Sequence, residues 1–265
     1  MSSLGRKLLE IAYLGYNYCG WQVQPNGITV QEVLQNALLK ILKHRPDVTG
    51  CSRTDSGVHA KSFFCHFDTN VDIPNLGLVL GLNTVLPNDI SAINCYDVAD
   101  DFHARYSSNG KLYRYSLLYS KIRDPFSEGR TLLIKNELNI NRVNEYCNLL
   151  VGKHNFEAFS SVNRTVTDTE RTVFECYVEK QNNRYDFFVK ADGFLYNMVR
   201  IMVGTMLDYS AGKISSKDVE NAFSTGNRKL LGATAPPQGL FLEKVFYDTE
   251  EFNAYFERSE KCFGR

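Results

Sequence analysis

The sequence predicts an α+β protein built from two consecutive split β-α-β units. Apolar residues alternate in the segments expected to be strands and recur at three- and four-residue spacing in those expected to be helices, in the order β-α-β-β-α-β. The same order recurs in the second half with one extra helix. The length of 265 residues allows two domains, expected at 1–106 and 107–265. Sheets of this kind carry helices on one face, so two of them facing each other would form a central cleft.

The first half is expected to contain two helices. Thr29 and Glu32 have the spacing of a capping box, and the apolar residues after them lie on one helical face. A second helix is expected from Leu76 to Leu86, although its two glycines lower the helix propensity. Strands are expected in KLLEIAYLG (7–15), in the residues leading to CSRTD (51–55), in SFFCHFDT (62–69) and in ISAINCYDV (90–98).

The second half has a hairpin at its centre. Asn182 and Asn183 separate two strand-like segments, RTVFECYVEKQ and YDFFVKADG, as expected for a two-residue turn. A short helix capped at Ser215 is the inserted element. The remaining elements are expected as strands in 111–120 and 239–248 and as helices in 141–152 and 194–212, both of which end at a glycine.

The composition is that of a globular protein. No run of about 18 apolar residues and no secretion signal occurs, so a cytoplasmic location is expected. Seven cysteines without a C-x-x-C pair argue against a disulfide framework and a zinc site. Lys+Arg and Asp+Glu are both 30, but seven bases and two acids lie between Arg105 and Lys135. That stretch forms either a local basic surface or an unspecific solvated face.

The segment CSRTDSGVHA (51–60) holds the first candidate for chemistry. Asp55 follows a predicted strand and precedes Ser56-Gly57, so its carboxylate lies where a strand gives way to a turn. Functional residues are often found at such positions. The structural alternative is that Asp55 binds the backbone of its own turn and Arg53 pairs with a surface acid.

Arg200 lies within the most apolar predicted helix, where a guanidinium needs a partner because an uncompensated buried charge is costly. No acid lies one helical turn away, so we expect a partner distant in sequence, with Asp55 as the candidate. Such a pair would keep Asp55 ionised, as a carboxylate nucleophile requires. The alternative is that Arg200 reaches solvent or binds carbonyl groups.

Tyr113 and Tyr115 fall on one face of the KLYRYSLL strand and Arg114 on the other. Alternating tyrosines usually pack a sheet, but a tyrosine beside a carboxylate can also stack on a base or take part in proton transfer. The histidines lack metal-ligand spacing, and GYNYCGW (15–21) lacks the lysine and spacing of a phosphate loop. No cofactor and no metal are therefore expected.

Five segments resemble the bacterial tRNA pseudouridine synthase A family, in the family's order. SRTDSGVHA resembles its RTD-x-GVHA signature, and its GVHA in place of GVSA is typical of the bacterial branch. The other four segments are YLGYNYCGWQVQPNGITVQE, KLYRYSLL, GFLYNMVRIMVG and APPQGLFLEKVFY. The resemblance spans about residues 8 to 247. Ser52 stands where many members have glycine, and a small side chain should be tolerated there.

The resemblance implies a pseudouridine synthase fold made of two ferredoxin-like units in tandem. It also implies a homodimer that binds the anticodon stem-loop of tRNA and isomerises uridines 38 to 40, just 3′ of the anticodon, without a cofactor. By resemblance Asp55 is the nucleophile and Tyr113 stacks on the target base. Arg200 pairs with the nucleophile, Arg53 helps to hold the flipped nucleotide, and Leu242 lines the same pocket.

The sequence is compatible with three chemical roles of Asp55 and with other functions. Asp55 could attack C1′ of the ribose, remove a proton from the sugar to give a glycal, or add to C6 of the base. A non-catalytic RNA-binding protein of the same architecture is the main alternative function. A metabolic enzyme acting on a small acid would require a phosphate or metal motif, and none is found in the sequence.

Overall fold

The structure is a computed structural model that describes residues 5–161 and 168–252. Within these residues it contains strands and helices in the mixed order predicted, so the α+β class is confirmed. The described chain divides into two compact units, one of residues 5–110 with 242–252 and the other of residues 111–241. The predicted domains, 1–106 and 107–265, and the predicted cleft between two sheets stay predictions.

The first unit follows the β-α-β-β-α-β order. β1 lies between β3 and β4 and is antiparallel to both, and the short β2 pairs with β3. This order, β4-β1-β3-β2, is the arrangement expected for a split β-α-β unit. The elements are β1 (Gly5–Tyr13), α1 (Val30–Leu42), β2 (Thr49–Gly50), β3 (His59–Thr69), α2 (Asn75–Val85) and β4 (Ile90–Val98).

The second unit repeats the order with additions. Its strands lie in the order β5-β9-β8-β7, and β6 pairs with β5 in parallel. Its elements are β5 (Gly110–Tyr119), β6 (Leu132–Ile134), α3 (Ile140–Leu150), β7 (Gly152–Asn155), β8 (Glu170–Gln181), β9 (Arg184–Ala191), α4 (Met198–Ser210) and α5 (Ser216–Thr225). The last strand, β10 (Leu240–Phe246), begins in this unit and belongs to the first unit from Leu242 on.

The chain returns to the first unit near its C-terminus. The carboxylate of Glu243, on β10, lies 3.0 Å from Nζ of Lys61 on β3. The phenol of Tyr247 donates a hydrogen bond of 2.6 Å to the carbonyl of Ala104, and its ring lies 5.2 Å from that of Phe64. The last residues of β10 therefore belong to the first unit, although the preceding 131 residues, 111–241, form the second.

The local signals in the sequence mark the boundaries of the elements well. The side chain of Thr29 accepts the amide of Glu32 at the start of α1. Ser215 and Asp218 form a reciprocal capping box at the start of α5. Gln181 pairs with Arg184 across the predicted two-residue hairpin, and its first turn residue has the left-handed φ of 56°.

Four elements differ from the sequence predictions: β2, β6, β7 and α4. The strand before CSRTD has only two residues, Thr49–Gly50, and the short strands β6 and β7 were not predicted. Strands of two to four residues are too short to give a recognisable apolar alternation. The predicted helix 194–212 starts at Met198, because Asn197 has φ 62° and a left-handed residue cannot lie inside an α-helix.

The core of the second unit lies between its sheet and its helices. The phenol of Tyr146, on α3, donates 2.9 Å to the carbonyl of Met202 on α4, which ties the two helices together. Tyr115, Tyr185 and Phe187 project from the sheet and have no exposed area. The six cysteines within the described residues are free thiols, and Cys262 lies outside them. In the same part of the chain, none of the helices has the length and apolar character to span a membrane.

Candidate active site

Asp55 lies at the first position of a tight turn in the first unit. The amide of Val58 donates 3.1 Å to the carbonyl of Asp55, which closes the turn over Ser56 and Gly57. Gly57 has φ 80°, a conformation that glycine adopts at little cost and that this position of the turn requires. The side chain of Asp55 is half-buried. The Ser-Gly pair in the sequence therefore sets the direction in which the carboxylate leaves the backbone.

The segment 15–21 holds this turn in place through hydrogen bonds. The carbonyl of Thr54 accepts the amide of Trp21 at 3.1 Å, and the carbonyl of Tyr18 accepts the amide of Gly57 at 3.3 Å. The hydroxyl of Ser56 donates to the same Tyr18 carbonyl at 3.2 Å. These backbone contacts on both sides of Asp55 fix its position without using its side chain.

Gly20 permits this close approach. Its φ is 84°, and a Cβ at this position would lie 2.5 Å from the carbonyl oxygen of Thr54. Any other residue would therefore push the Asp55 turn away. From the sequence, GYNYCGW was excluded as a phosphate loop and was otherwise part of one of the five family-like segments, and its role as a support for the turn was not predicted. The two glycines that begin and nearly end the segment were the available signal.

Two buried polar side chains next to the turn, those of Thr54 and His59, form hydrogen bonds that hold its ends in place. The hydroxyl of Thr54 lies 2.8 Å from the phenol oxygen of Tyr13 on β1. His59 has no exposed area, and its Nδ1 accepts the amide of Gly15 at 2.9 Å. An Nδ1 that accepts an N–H carries no proton, so the proton of the neutral ring is on Nε2. His59 therefore supports the backbone at this position in the fold.

Arg53 differs from its neighbours because its side chain is exposed. Within residues 5–161 and 168–252, its guanidinium forms no hydrogen bond and no ion pair. The alternative that Arg53 pairs with a surface acid is therefore not observed there. An exposed guanidinium two residues from Asp55 is available to an anionic ligand such as a phosphate.

Arg200 belongs to the second unit and lies in the first turn of α4, not in the helix interior as predicted. It is half-buried. Nε donates 2.7 Å to the carbonyl of Ala235, and Nη1 donates 2.7 Å to Oδ1 of Asn197. One of the two alternatives for Arg200 was that it binds carbonyl groups, and its Nε does so at Ala235. A cation in the first turn opposes the helix dipole, which argues for a specific use of its charge.

Asn197 is a helix N-cap residue that does not cap its own helix. Its Oδ1 instead accepts from Arg200, and its Nδ2 donates 2.8 Å to the hydroxyl of Ser161. Asparagine tolerates the left-handed conformation better than most residues, which accounts for its φ of 62°. The side chain therefore connects the guanidinium to the segment that precedes the undescribed residues.

The segment 232–236 forms the other support of Arg200. A Cβ on Gly204 of α4 would lie 1.7 Å from the carbonyl oxygen of Ala233, so the segment packs directly on the helix backbone. The amide of Ala235 donates 3.0 Å to the carbonyl of Arg200, which complements the bond from Nε. Arg200 is thus held through both its main chain and its side chain.

Tyr113 and Tyr115 lie on the same face of β5, as the alternation predicted. They pair with Val189 and Phe187 on β9. Tyr113 is 6% exposed, and its ring meets that of Phe194 edge-on with 4.9 Å between centroids. The phenol of Tyr115 donates 2.7 Å to the carbonyl of Pro236, and burial raises its pKa well above the ordinary value.

Arg114 projects from the opposite face of β5. Its Nη1 lies 3.1 Å from the carboxylate of Asp186, and its guanidinium lies 4.3 Å from the centre of the Phe241 ring. Leu242, the next residue on β10, has no exposed area. The apolar side chain of Leu242 is therefore completely buried.

The candidate residues fall into two sets. Asp55, Arg53 and Leu242 belong to the first unit, and Tyr113 and Arg200 belong to the second. Each set is fixed by contacts within its own unit. The pairing of Asp55 with Arg200 stays a prediction. Among the described residues, no group of three or more His, Cys, Asp or Glu side chains could hold a metal ion.

Comparison with known proteins gives a consistent result. The family model described as tRNA pseudouridine synthase matches residues 146–248. A protein of Clostridium botulinum named tRNA pseudouridine synthase A is 44% identical over 239 residues, covering 90% of this chain and 98% of that protein. A Clostridium perfringens protein named tRNA pseudouridine synthase A 2 is 42% identical with the same coverage. The protein of Staphylococcus aureus MRSA252 is 39% identical and covers 93% of both chains.

Proposed function

Because this chain belongs to the tRNA pseudouridine synthase A family, we propose that it isomerises uridine to pseudouridine in the anticodon stem-loop of tRNA, with Asp55 as the nucleophile. The uridines just 3′ of the anticodon are the proposed targets. The observation that carries the assignment of Asp55 is the half-buried carboxylate on a turn held by backbone hydrogen bonds from both sides. A nucleophile must keep its position through the reaction, and such a turn provides that rigidity.

The reaction needs no external reactant. The bond between N1 of uracil and C1′ breaks, a bond between C5 and C1′ forms, the C5 proton leaves and N1 gains a proton. Atoms and electrons therefore balance within the nucleotide, and no cofactor is required. The target base must be detached and turned within one pocket, which requires the nucleotide to leave the helical stack.

Asp55 starts the reaction in this proposal by attack on C1′, by proton removal from the sugar, or by addition to C6. All three steps need the carboxylate to be ionised, which a neighbouring cation favours. We assign that part to Arg200. Its anchoring by Ala235 and Asn197 supports the assignment, because a held guanidinium acts as a fixed positive charge.

Tyr113, Arg53 and Leu242 complete the proposed site. Tyr113 stacks on the target base and accepts the C5 proton, directly or through water. The edge-on contact with Phe194 supports the stacking function because it holds the ring in one orientation. Arg53, which is exposed, binds a phosphate beside the flipped nucleotide. Leu242 forms part of the apolar wall.

We further propose that the protein acts in the cytoplasm as a homodimer, as the family resemblance implies. Four exposed cations of the second unit support an RNA partner: Lys121, Arg123, Arg130 and Lys135. Binding to tRNA should weaken steeply as the salt concentration rises, because each phosphate contact releases counterions. Filter binding of tRNA from low to physiological ionic strength measures this, and unchanged affinity would contradict it.

The central test is the release of tritium from tRNA labelled at C5 of uracil. Asp55→Asn should abolish release and leave tRNA affinity nearly unchanged, because the amide keeps the shape and removes the nucleophilic charge. Asp47→Asn, at an exposed aspartate of the same unit, is the matched control and should release tritium as the parent does. Equal release by Asp55→Asn and the parent would refute the catalytic assignment. Binding without release by the parent would favour the non-catalytic RNA-binding alternative.

A further inference from the structure

The loop between β5 and β6, residues 120–131, carries an exposed aromatic side chain. We call this segment the β5–β6 loop. Phe126 is 84% exposed and Ile122 is 77% exposed, the two highest values among large apolar side chains of the described residues. Exposing such side chains costs free energy, so a cluster of them marks a surface that another molecule covers.

The β5–β6 loop is ordered by its own hydrogen bonds. One carboxylate oxygen of Asp124 accepts the amide of Phe126 at 3.1 Å, and the other accepts the hydroxyl of Ser127 at 2.6 Å. These bonds hold the pKa of the Asp124 carboxyl below its usual value. The hydroxyl of Thr131 donates 3.1 Å to the carbonyl of Ser127. Phe126 is therefore presented on a fixed backbone, which lowers the entropy cost of stacking against a partner.

Exposed cations lie in the same loop as Phe126 and just after β6. Lys121, Arg123, Arg130 and Lys135 are all exposed, and none of them forms an ion pair within the described part of the chain. Of the other three bases in the predicted basic stretch, Lys111 is buried and Arg114 pairs with Asp186, so neither contributes to this surface. Arg105 is exposed but belongs to the first unit. Within the second unit, the basic surface is therefore narrower than the sequence suggested and consists of the cations of the β5–β6 loop and Lys135.

We propose that the β5–β6 loop is a second RNA contact, in which Phe126 stacks on an unstacked base and these cations bind phosphates. The β5–β6 loop also holds two acids, Asp124, which accepts hydrogen bonds from the loop itself, and the exposed Glu128. An exposed aromatic side chain together with cations in excess over acids is the combination by which proteins bind single-stranded nucleic acid. The inference rests on the proposed function for the identity of the RNA, a tRNA substrate. A purely apolar partner would gain nothing from the four cations.

The β5–β6 loop lies away from the proposed target nucleotide. Tyr113 and Ser120 are separated by seven residues of an extended strand, which corresponds to roughly 23 Å at about 3.3 Å per residue. One nucleotide cannot span that distance, so the loop binds a different part of the tRNA. A cavity of about 380 Å³ beside it offers polar groups to the edge of a base or to a ribose hydroxyl, among them Ser120, Asn182, Asn183 and Arg184.

The first test changes the aromatic side chain. Phe126→Ala should raise the KM for full-length tRNA about tenfold, in line with the loss of one base–aromatic stack, and leave kcat unchanged at saturating tRNA. Phe126→Tyr should keep the parent KM because the ring is retained. Leu80→Ala, at an apolar residue of the first unit that is 59% exposed, is the control and should behave as the parent.

The second test changes the charges. Lys121→Gln combined with Arg123→Gln should reduce the slope of log Kd against log salt by about 1.4 to 1.8, because each lost phosphate contact removes about 0.7 to 0.9. The control is Lys217→Gln combined with Lys229→Gln, two exposed lysines elsewhere in the second unit, which should leave the slope unchanged.

Parental KM and salt slope in all of the loop variants would overturn the inference. It would also be overturned if the loop variants changed the molar mass in light scattering but not tRNA binding, because the loop would then contact a second copy of the chain. A parent protein that binds tRNA without forming pseudouridine would instead refute the proposed function, and the binding measurements would still decide the role of the loop.

Discussion

Oδ1 of Asn197 accepts a hydrogen bond of 2.7 Å from Nη1 of Arg200, three residues further along the chain. An N-cap asparagine ordinarily uses its side chain to accept an amide of its own helix. Here it is used to orient a guanidinium, and its other end donates to Ser161. The side chain at the start of α4 therefore holds the guanidinium of Arg200 in position and does not cap the helix.

Asn197 is expected to be a positioning residue for Arg200. Asn197→Gly keeps the left-handed backbone and removes the side chain, whereas Asn197→Ala also adds a backbone cost of about 1 kcal/mol. Both variants should lower kcat for tritium release about tenfold with little change in KM for tRNA. Urea unfolding should find the glycine variant about 1 kcal/mol more stable than the alanine variant. A parental kcat in both variants would show that the hydrogen bond from Arg200 to Asn197 does not serve the reaction. Equal stability of the two variants would contradict the backbone cost of alanine at this position.

Gly20 is expected to be essential for the position of Asp55. Gly20→Ala brings a Cβ within 2.5 Å of the Thr54 carbonyl, so it should destabilise the fold by about 2 to 4 kcal/mol and remove most of the activity. Gly212→Ala is the matched control, because Gly212 has a similar φ of 77° with open space around its Cβ. It should cost only the backbone strain of about 1 to 2 kcal/mol. Equal losses in denaturant unfolding of the two variants would rule out the clash.

The predicted pairing of Asp55 with Arg200 can be measured by a double-mutant cycle. If the two charges interact, Asp55→Asn and Arg200→Gln should each lower the free energy of unfolding, and the double variant should lose about 1 to 3 kcal/mol less than the sum. The observed ion pair of Arg114 and Asp186 serves as a positive control for coupling. Additive effects at the first pair together with coupling at the second would contradict the predicted pairing.

His66 is expected to make stability depend on pH. Burial, with help from the nearby charges of Arg6 and His103, lowers the pKa of His66 to about 4, and its Nδ1 accepts the amide of Ala104. The unfolded chain binds a proton near pH 6.5 and the folded chain does not. Stability from this group is therefore fully present above about pH 6.5 and is lost as the pH falls toward 4, at about 1 kcal/mol per pH unit.

The variant His66→Asn checks this dependence, because its side-chain oxygen can still accept the Ala104 amide but does not titrate in this range. Its free energy of unfolding should change less between pH 6.5 and pH 4 than that of the parent. Denaturant unfolding at several pH values measures the difference. Parallel curves for the two proteins would mean that another group carries the dependence.

Part of the candidate site could be predicted from the sequence. The alternation in KLYRYSLL placed Tyr113 and Tyr115 on one face, because side chains in a strand alternate whatever the fold. Arg200 was identified as a cation that needs partners, but its position in the helix was wrong. The apolar pattern continues through Phe194, Leu195 and Tyr196, although α4 begins only at Met198. Of these three residues only Leu195 is buried, and Tyr196 is 49% exposed, so their apolar character does not reflect a helical face packed in the core.

The order of the longer strands and helices, several of their boundaries and the residue types available for chemistry could be read from the sequence alone. These follow from periodicity, caps and turns, which depend on neighbours within a few positions. Three features became visible only in the folded chain: Gly20 lies against the Thr54 carbonyl, Asn197 binds Arg200 instead of capping its helix, and Phe126 is exposed on an ordered loop. Such contacts depend on which distant segments meet, and a local pattern carries no record of that.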